Sequence, residues 1–211
     1  SINVLNPFMR IGDHFSELLR KHLKIEKDEA YKIAEEYIVD MGMRKDILKA
    51  FPHQLSGGMR QRIVVALALL LKPSIVFADE PTTAVDVVLQ KVLLHFLMDK
   101  QRELRNALTI VTHDMGVHAM VTQRIVVMYA GRVVEEAPTE PLFEDPKHPY
   151  TQALISSLPR LGDESPRKGL WGTPPDLKNP PPGCEFHPRC PYAMDICRRE
   201  EPPIIEIGIG K

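Results

Sequence analysis

Cysteine is scarce in this chain: 3 in 211 residues, all between positions 184 and 197. An odd, clustered set does not build the disulfide framework of a small secreted domain, and its spacing suits a metal better. Charge of one sign is lacking too, because 27 Lys and Arg stand against 28 Asp and Glu for a net charge of −1. That balance gives no electrostatic footprint for nucleic acid or an anionic membrane surface, so no nucleic-acid partner is expected. No apolar run reaches the length that spans a bilayer, and Ser1-Ile2-Asn3 does not open a signal peptide. If the protein works at a membrane, partners must carry it there. None of the 12 glycines opens a phosphate-cradling G-x-x-x-x-G-K-[ST] loop. Gly210-Lys211 comes nearest, but Ile205 stands where the first glycine belongs.

What is present lies in the middle of the chain. The run His53-Gln54-Leu55-Ser56-Gly57-Gly58-Met59-Arg60-Gln61-Arg62 puts two glycines after a serine at a helix start. Such a start lets the backbone approach phosphate oxygens and aims free N–H groups and the positive dipole end at an anion. The apolar run Ile75-Val76-Phe77-Ala78 then reads as a strand ending in Asp79-Glu80-Pro81. Two carboxylates there offer one site to hold a metal and a second to activate a water. Between them, Met59 to Ala78 leaves room for one helix returning along a sheet and a turn at Lys72-Pro73-Ser74. Further on, Thr109-Ile110-Val111-Thr112 reads as a strand delivering His113 at its carboxyl end.

Around these motifs, residues 8 to 50 read as helices. Phe15, Leu18, Leu19 and Leu23, then Ala30, Ile33, Ala34, Tyr37, Ile38 and Met41, recur at helical spacing, with Asp28 and Glu29 in the first turn of the second helix. A helix is expected over 87 to 105, and strands 124 to 129 and 132 to 135 flank a hairpin-like turn at Ala130-Gly131. The alternation argues an α/β sheet core. After Leu158 the composition changes, and Pro174-Pro175 and Pro180-Pro181-Pro182 exclude long helices and central strands. This extended appendage is expected to be anchored by Trp171, the only tryptophan.

In this order the motifs resemble the signature, Walker B strand, D-loop (Thr83-Ala84-Val85-Asp86) and switch histidine of the ATP-binding-cassette ATPases. The segment His148-Pro149-Tyr150-Thr151-Gln152-Ala153-Leu154, the run from Gly183 to Pro191, and Met59 in the signature narrow the resemblance to the ATP-binding subunits of oligopeptide and dipeptide importers. The fold so implied is a partial cassette domain over 1–158, with a helical subdomain at about 8–55 and nucleotide motifs at 53–114, followed by a cysteine-bearing tail over 159–211. In that family Asp79 holds Mg2+, Glu80 polarises the attacking water and His113 contacts the γ-phosphate. Ser56, Gly57, Gly58 and Met59 bind the ATP of a second subunit, whose site Asp86 helps to orient.

The implied partners are a second ATPase subunit, membrane permease subunits and, indirectly, an extracytoplasmic solute-binding protein, which together put the chain at the cytoplasmic face of the membrane. The family's phosphate loop lies far upstream, so these residues are expected to form a truncated subunit, inactive alone. Some members bind a 4Fe–4S cluster through four cysteines. Here Cys184, Cys190 and Cys197 supply three, and zinc held by these thiols with His187 is the rival. Two other functions stay open: a cassette ATPase outside transport, and a non-catalytic metal-binding interaction module whose working part is the tail.

Overall fold

A computed structural model describes residues 4–82, 86–158 and 170–208. The chain packs as two compact units, Ser1–His113 and Asp114–Lys211. The change in composition after Leu158 falls inside the second.

The first unit opens with helices α1 (Ile11–Leu23) and α2 (Lys27–Asp40). Lys24, at φ 56°, ends α1 in the left-handed conformation, where its N–H donates to the Arg20 carbonyl. Asp28 and Glu29 stand at the positive end of the α2 dipole, as their position predicts. Phe15, Leu19, Ala30, Ala34, Tyr37, Ile38 and Met41 are buried where these helices meet, whereas Leu23, in the last residue of α1, is exposed. Two 3-10 turns, Lys45–Lys49 and Pro52–Gln54, lead into α3 (Gly57–Leu69).

Strand β1 (Ile75–Asp79) and strand β2 (Ala107–Val111) pair in parallel, with α4 (Val87–Leu104) as the crossover between them. Side chains alternate across the pair: Val76 and Ile110 face the core, while Ile75, Phe77 and Val111 are exposed on the other face. Lys100 ties α4 to α2 by reaching Asp40 at 2.9 Å over the Tyr37 ring, and it pairs with Glu103 of its own helix at 2.8 Å. Burial disfavours its charge, but the hydrogen bonds to Glu103 and Asp40 outweigh that and raise its pKa.

The second unit contains α5 (Met115–Val121), β3 (Arg124–Tyr129), β4 (Arg132–Pro138), α6 (Thr139–Glu144) and α7 (Pro149–Ser156). Strands β3 and β4 form an antiparallel hairpin around Ala130 and Gly131, whose φ of 51° and 84° match the two-residue turn that follows strand twist. Ile125 and Val127 pack with Leu142 and Ile155, so one face of the hairpin is covered by α6 and α7.

The tail is anchored by a residue other than the one expected. Trp171 is 81% exposed and contributes only its carbonyl, which accepts from Arg189 Nε at 3.0 Å. Phe186, 2% exposed, is the anchor: its ring meets Tyr129 at 5.1 Å, Tyr150 at 5.6 Å and His148 at 5.6 Å. A phenyl ring has no polar atom to satisfy, so it enters such a cluster at less cost than an indole. Arg189 adds a hydrogen bond to the Tyr129 hydroxyl at 3.3 Å, and Arg132 of β4 pairs with Glu185 and Glu201 of the tail.

His148 joins α7 to this cluster. Its Nδ1 accepts from the Tyr150 N–H at 3.1 Å as the helix N-cap, and Glu135 accepts from the Lys147 and His148 N–H groups at 2.8 and 2.9 Å. Burial lowers the His148 pKa, with the Glu135 charge opposing; Arg189 faces the same cluster from the tail. A protonated ring cannot accept at Nδ1, so the cap belongs to the neutral form. Because the folded pKa lies below the unfolded value, this contribution to stability is present above about pH 6.5 and is lost as pH falls through the lowered value. We expect the second unit's thermal midpoint to drop on acidification through that window. His148→Asn, which keeps a capping oxygen, should remove the step while lowering stability uniformly; an unchanged pH profile in that variant would exclude His148 as its source.

Candidate functional site

Three of the residues picked out by the motifs, Asp79, Glu80 and His113, stand at or just beyond the carboxyl ends of β1 and β2. Asp79 is the last residue of β1, opposite Val111, and is exposed. Glu80 follows with φ 46°, a left-handed conformation that costs a non-glycine residue of order 1 kcal/mol or more. Its N–H donates to the Val111 carbonyl at 2.8 Å, so the pairing of the two strands holds the strained residue in place. Across the strand ends, Glu80 Oε1 accepts from the His113 N–H at 3.3 Å and lies 2.7 Å from His113 Nδ1. The sequence predicted two separate groups here; the structure makes them one carboxylate–imidazole pair. With the His113 side chain 84% exposed, the pair contributes little to stability. The carboxylate and the imidazole thus meet at adjacent strand ends.

Ser56 caps α3. Its Oγ accepts from the Met59 N–H at 3.3 Å, so Gly57 and Gly58 form the first turn and Gly58 is buried. Asp86 caps α4, with Oδ1 accepting from the N–H groups of Val88 and Leu89 at 3.1 and 3.0 Å. The remaining D-loop residues, 83 to 85, lie outside the described residues.

Two side chains that the motif reading passed over hold these parts together. Gln61, 7% exposed, donates through Nε2 to the Pro81 carbonyl at 3.0 Å and so binds the loop carrying Asp79 and Glu80 to α3. Arg62, 8% exposed, donates through Nη1 to the Met41 carbonyl at the end of α2, at 3.1 Å. Burial lowers the Arg62 pKa, and the Asp86 charge works against that shift. A signal for both was present. Gly58, Gln61, Arg62, Val65, Ala66 and Leu69 form one buried stripe at three- and four-residue spacing, and two long polar side chains on an apolar stripe need buried partners.

The cysteines lie apart from these groups in sequence. All three are free and half-buried. Burial raises the Cys184 pKa; backbone N–H groups of Phe186 and His187 oppose this, and Cys197 and Cys190 add to it. Among the described residues no three His, Cys, Asp or Glu side chains stand together as a metal-binding group. Among the described residues, then, the cluster or zinc expected at Cys184, Cys190 and Cys197 finds no ligand group in place, and His187 directs Nδ1 to the Cys184 carbonyl at 2.8 Å. Asp79 and Glu80 do suit magnesium, which takes one or two carboxylates and fills its other positions with water and phosphate oxygens.

Comparison with known proteins gives this arrangement its class. Residues 3–83 match the ABC transporter family model, and residues 134–197 match that of the oligopeptide/dipeptide transporter C-terminal region. The chain belongs to the ABC transporter family, and its second unit carries the C-terminal region found in oligopeptide and dipeptide transporters.

Among its relatives is the oligopeptide transport ATP-binding protein OppD of Bacillus subtilis, 44% identical over 208 residues, 97% of this chain and 58% of the relative. The dipeptide transport ATP-binding protein DppD of the same organism is 44% identical over 207 residues, 95% of this chain and 61% of the relative. The chain thus spans about three-fifths of the length of these relatives. The ATP-binding cassette MJ0796, solved as a dimer in a post-hydrolysis state with ADP and Pi, aligns with a TM-score of 0.60 at 28% identity, covering 65% of this chain and 60% of that one. The fold is therefore part of a cassette. Among the described residues no helix is long and apolar enough to cross a membrane.

The Gln61 contact yields a direct test. Gln61→Leu leaves the Pro81 carbonyl buried and unpaired, which costs about 1–3 kcal/mol. We expect the denaturation midpoint of the first unit to fall accordingly at unchanged m-value, with faster hydrogen exchange at Glu80 and Val111. An unchanged midpoint would mean that the amide does not support the loop.

Proposed function

We propose that this chain is part of the ATP-hydrolysing subunit of an importer for peptides or related small solutes. The observation that carries the proposal is the Glu80–His113 pair, 2.7 Å apart at the ends of two parallel strands, in a chain of the ABC transporter family. In this reading Glu80 polarises the attacking water and His113 contacts the γ-phosphate that the water attacks, so loss of that phosphate is felt directly at the carboxylate. Asp79, exposed beside Glu80, holds magnesium through water. When bound, the ion neutralises charge on the phosphate oxygens.

The capped start of α3 serves the nucleotide of a second subunit. Ser56 fixes the first turn, and the N–H groups of Gly57, Gly58 and Met59 lie where an anion is favoured. Asp86 acts on the partner's site through the position of α4, because its carboxylate oxygen is engaged in capping. Two ATPase subunits, permease subunits and a solute-binding protein make up the assembly, at the cytoplasmic face of the membrane. The peptide class of cargo is supported by the match of residues 134–197. Among the described residues no metal-binding group stands at the cysteines, and a 4Fe–4S centre forms no part of the proposal.

Phosphoryl-transfer catalysis rests mainly on positioning and charge neutralisation at the β- and γ-phosphates, and the 211 residues contain no phosphate loop. We therefore expect the chain alone to release phosphate from ATP no faster than buffer. Joined to an upstream phosphate loop, it should hydrolyse ATP, and Glu80→Gln should then lower turnover roughly 10²–10⁴-fold while leaving ATP binding intact. Magnesium-dependent hydrolysis by the chain alone, or full turnover in the joined Glu80→Gln protein, would refute these assignments.

A further inference from the structure

The end of α2 is tied to two other helices by consecutive residues. Asp40, its last residue, pairs with Lys100 of α4 at 2.9 Å, and the carbonyl of Met41, its C-cap, accepts from Arg62 of α3 at 3.1 Å. Tyr37, one turn earlier, donates its hydroxyl to the Leu69 carbonyl at the end of α3 at 3.4 Å and sets its ring 5.3 Å from the Lys100 ammonium. Helix α3 begins at the Ser56 cap and α4 at the Asp86 cap. The last turn of α2 thus spaces the two helices whose starts serve the second subunit's nucleotide in the proposed function.

Lys100 has two carboxylate partners with different consequences. Its side chain is only 12% exposed, so the ammonium needs a counter-charge wherever α2 lies. Glu103, three residues on in the same helix, supplies one at 2.8 Å without reference to α2. What Asp40 adds is the link between α2 and α4.

We propose that Lys100 is a positioning residue for ATP hydrolysis: through Asp40 it fixes α4, and with it the Asp86 cap, relative to α2 and α3. The proposal rests on the reading of the chain as part of an ATP-hydrolysing subunit. A helix is stiff along its axis, so a displacement at Lys100 is carried to the first turn of α4, about 18 Å away at a rise of about 1.5 Å per residue. Charge alone does not reach that far, because salt screens it over about 8–10 Å.

The two carboxylates supply the test. Glu103→Gln and Asp40→Asn each remove one charge from the same amine, so a merely structural role gives them like effects, whereas a positioning role separates them. In the chain itself, Asp40→Asn and Lys100→Met should shift the amide resonances of Val88 and Leu89, the two N–H groups that Asp86 caps, and Glu103→Gln should leave them in place. In the chain joined to an upstream phosphate loop, Asp40→Asn and Lys100→Met should lower kcat about 3- to 30-fold with the dissociation constant for ATP unchanged. The double variant should lose no more than either alone, because both changes break one contact. Glu103→Gln should keep the parent kcat, and Lys100→Arg, which retains the charge and the reach, should recover most of it. Equal turnover losses from Asp40→Asn and Glu103→Gln, additive losses in the double variant, or unmoved Val88 and Leu89 resonances would overturn the proposal. Failure of the joined protein to hydrolyse ATP, or full turnover with Glu80→Gln, would instead refute the ATPase reading, and the resonances would still decide whether Asp40 and Lys100 hold α4.

Discussion

The Gln61 amide holds the Pro81 carbonyl, and the arrangement of the first unit's candidate site depends on that contact. Asp79 and Glu80 belong to a strand end, where the backbone leaves the sheet and nothing in the ladder dictates its path. Two bonds supply the direction: Gln61 from α3 on one side, and the Glu80 N–H to the Val111 carbonyl on the other. Held between them, Glu80 keeps a left-handed backbone that puts its carboxylate on His113. Strain of this kind persists only where its surroundings over-determine it, and it concentrates at sites of function. The same helix that supplies Gln61 begins at the Ser56 cap, so the Ser56–Gly58 turn and the carboxylate loop are positioned by one rigid element.

The second unit follows a different physical logic. Its tail has little regular structure, and it is fixed by a few strong contacts: a buried phenyl ring among Tyr129, Tyr150 and His148, a guanidinium on the Tyr129 hydroxyl, and an arginine shared by two glutamates. Such an attachment buries less apolar surface than a helix face would. It is correspondingly sensitive to the charge on one imidazole.

Much of this was legible from residue order. The helix from Ser56, the strand ending at Asp79 and the hairpin at Ala130-Gly131 all stand where caps, apolar runs and turn residues put them, because each is determined by local chemistry. Glu80 and His113 could be named individually, but 33 positions separate them and their contact depends on the register of β1 with β2, which no local pattern encodes. Gln61 was readable in principle as a polar residue on a buried stripe; its partner was not. Trp171 misled because size suggested an anchor, whereas Phe186 could enter an aromatic cluster without a polar atom to satisfy. The cysteine spacing suggested ligands for one metal, and among the described residues no such ligand group stands together.

The central claim is that the ends of β1 and β2 are where a metal–nucleotide complex is hydrolysed. Its most direct test is anomalous scattering from manganese, substituted for magnesium, in crystals of this chain joined to a phosphate loop and grown with a non-hydrolysable ATP analogue. The account predicts a manganese peak beside Asp79, with the γ-phosphate facing Glu80 and His113. Manganese and nucleotide bound away from these three residues would contradict it.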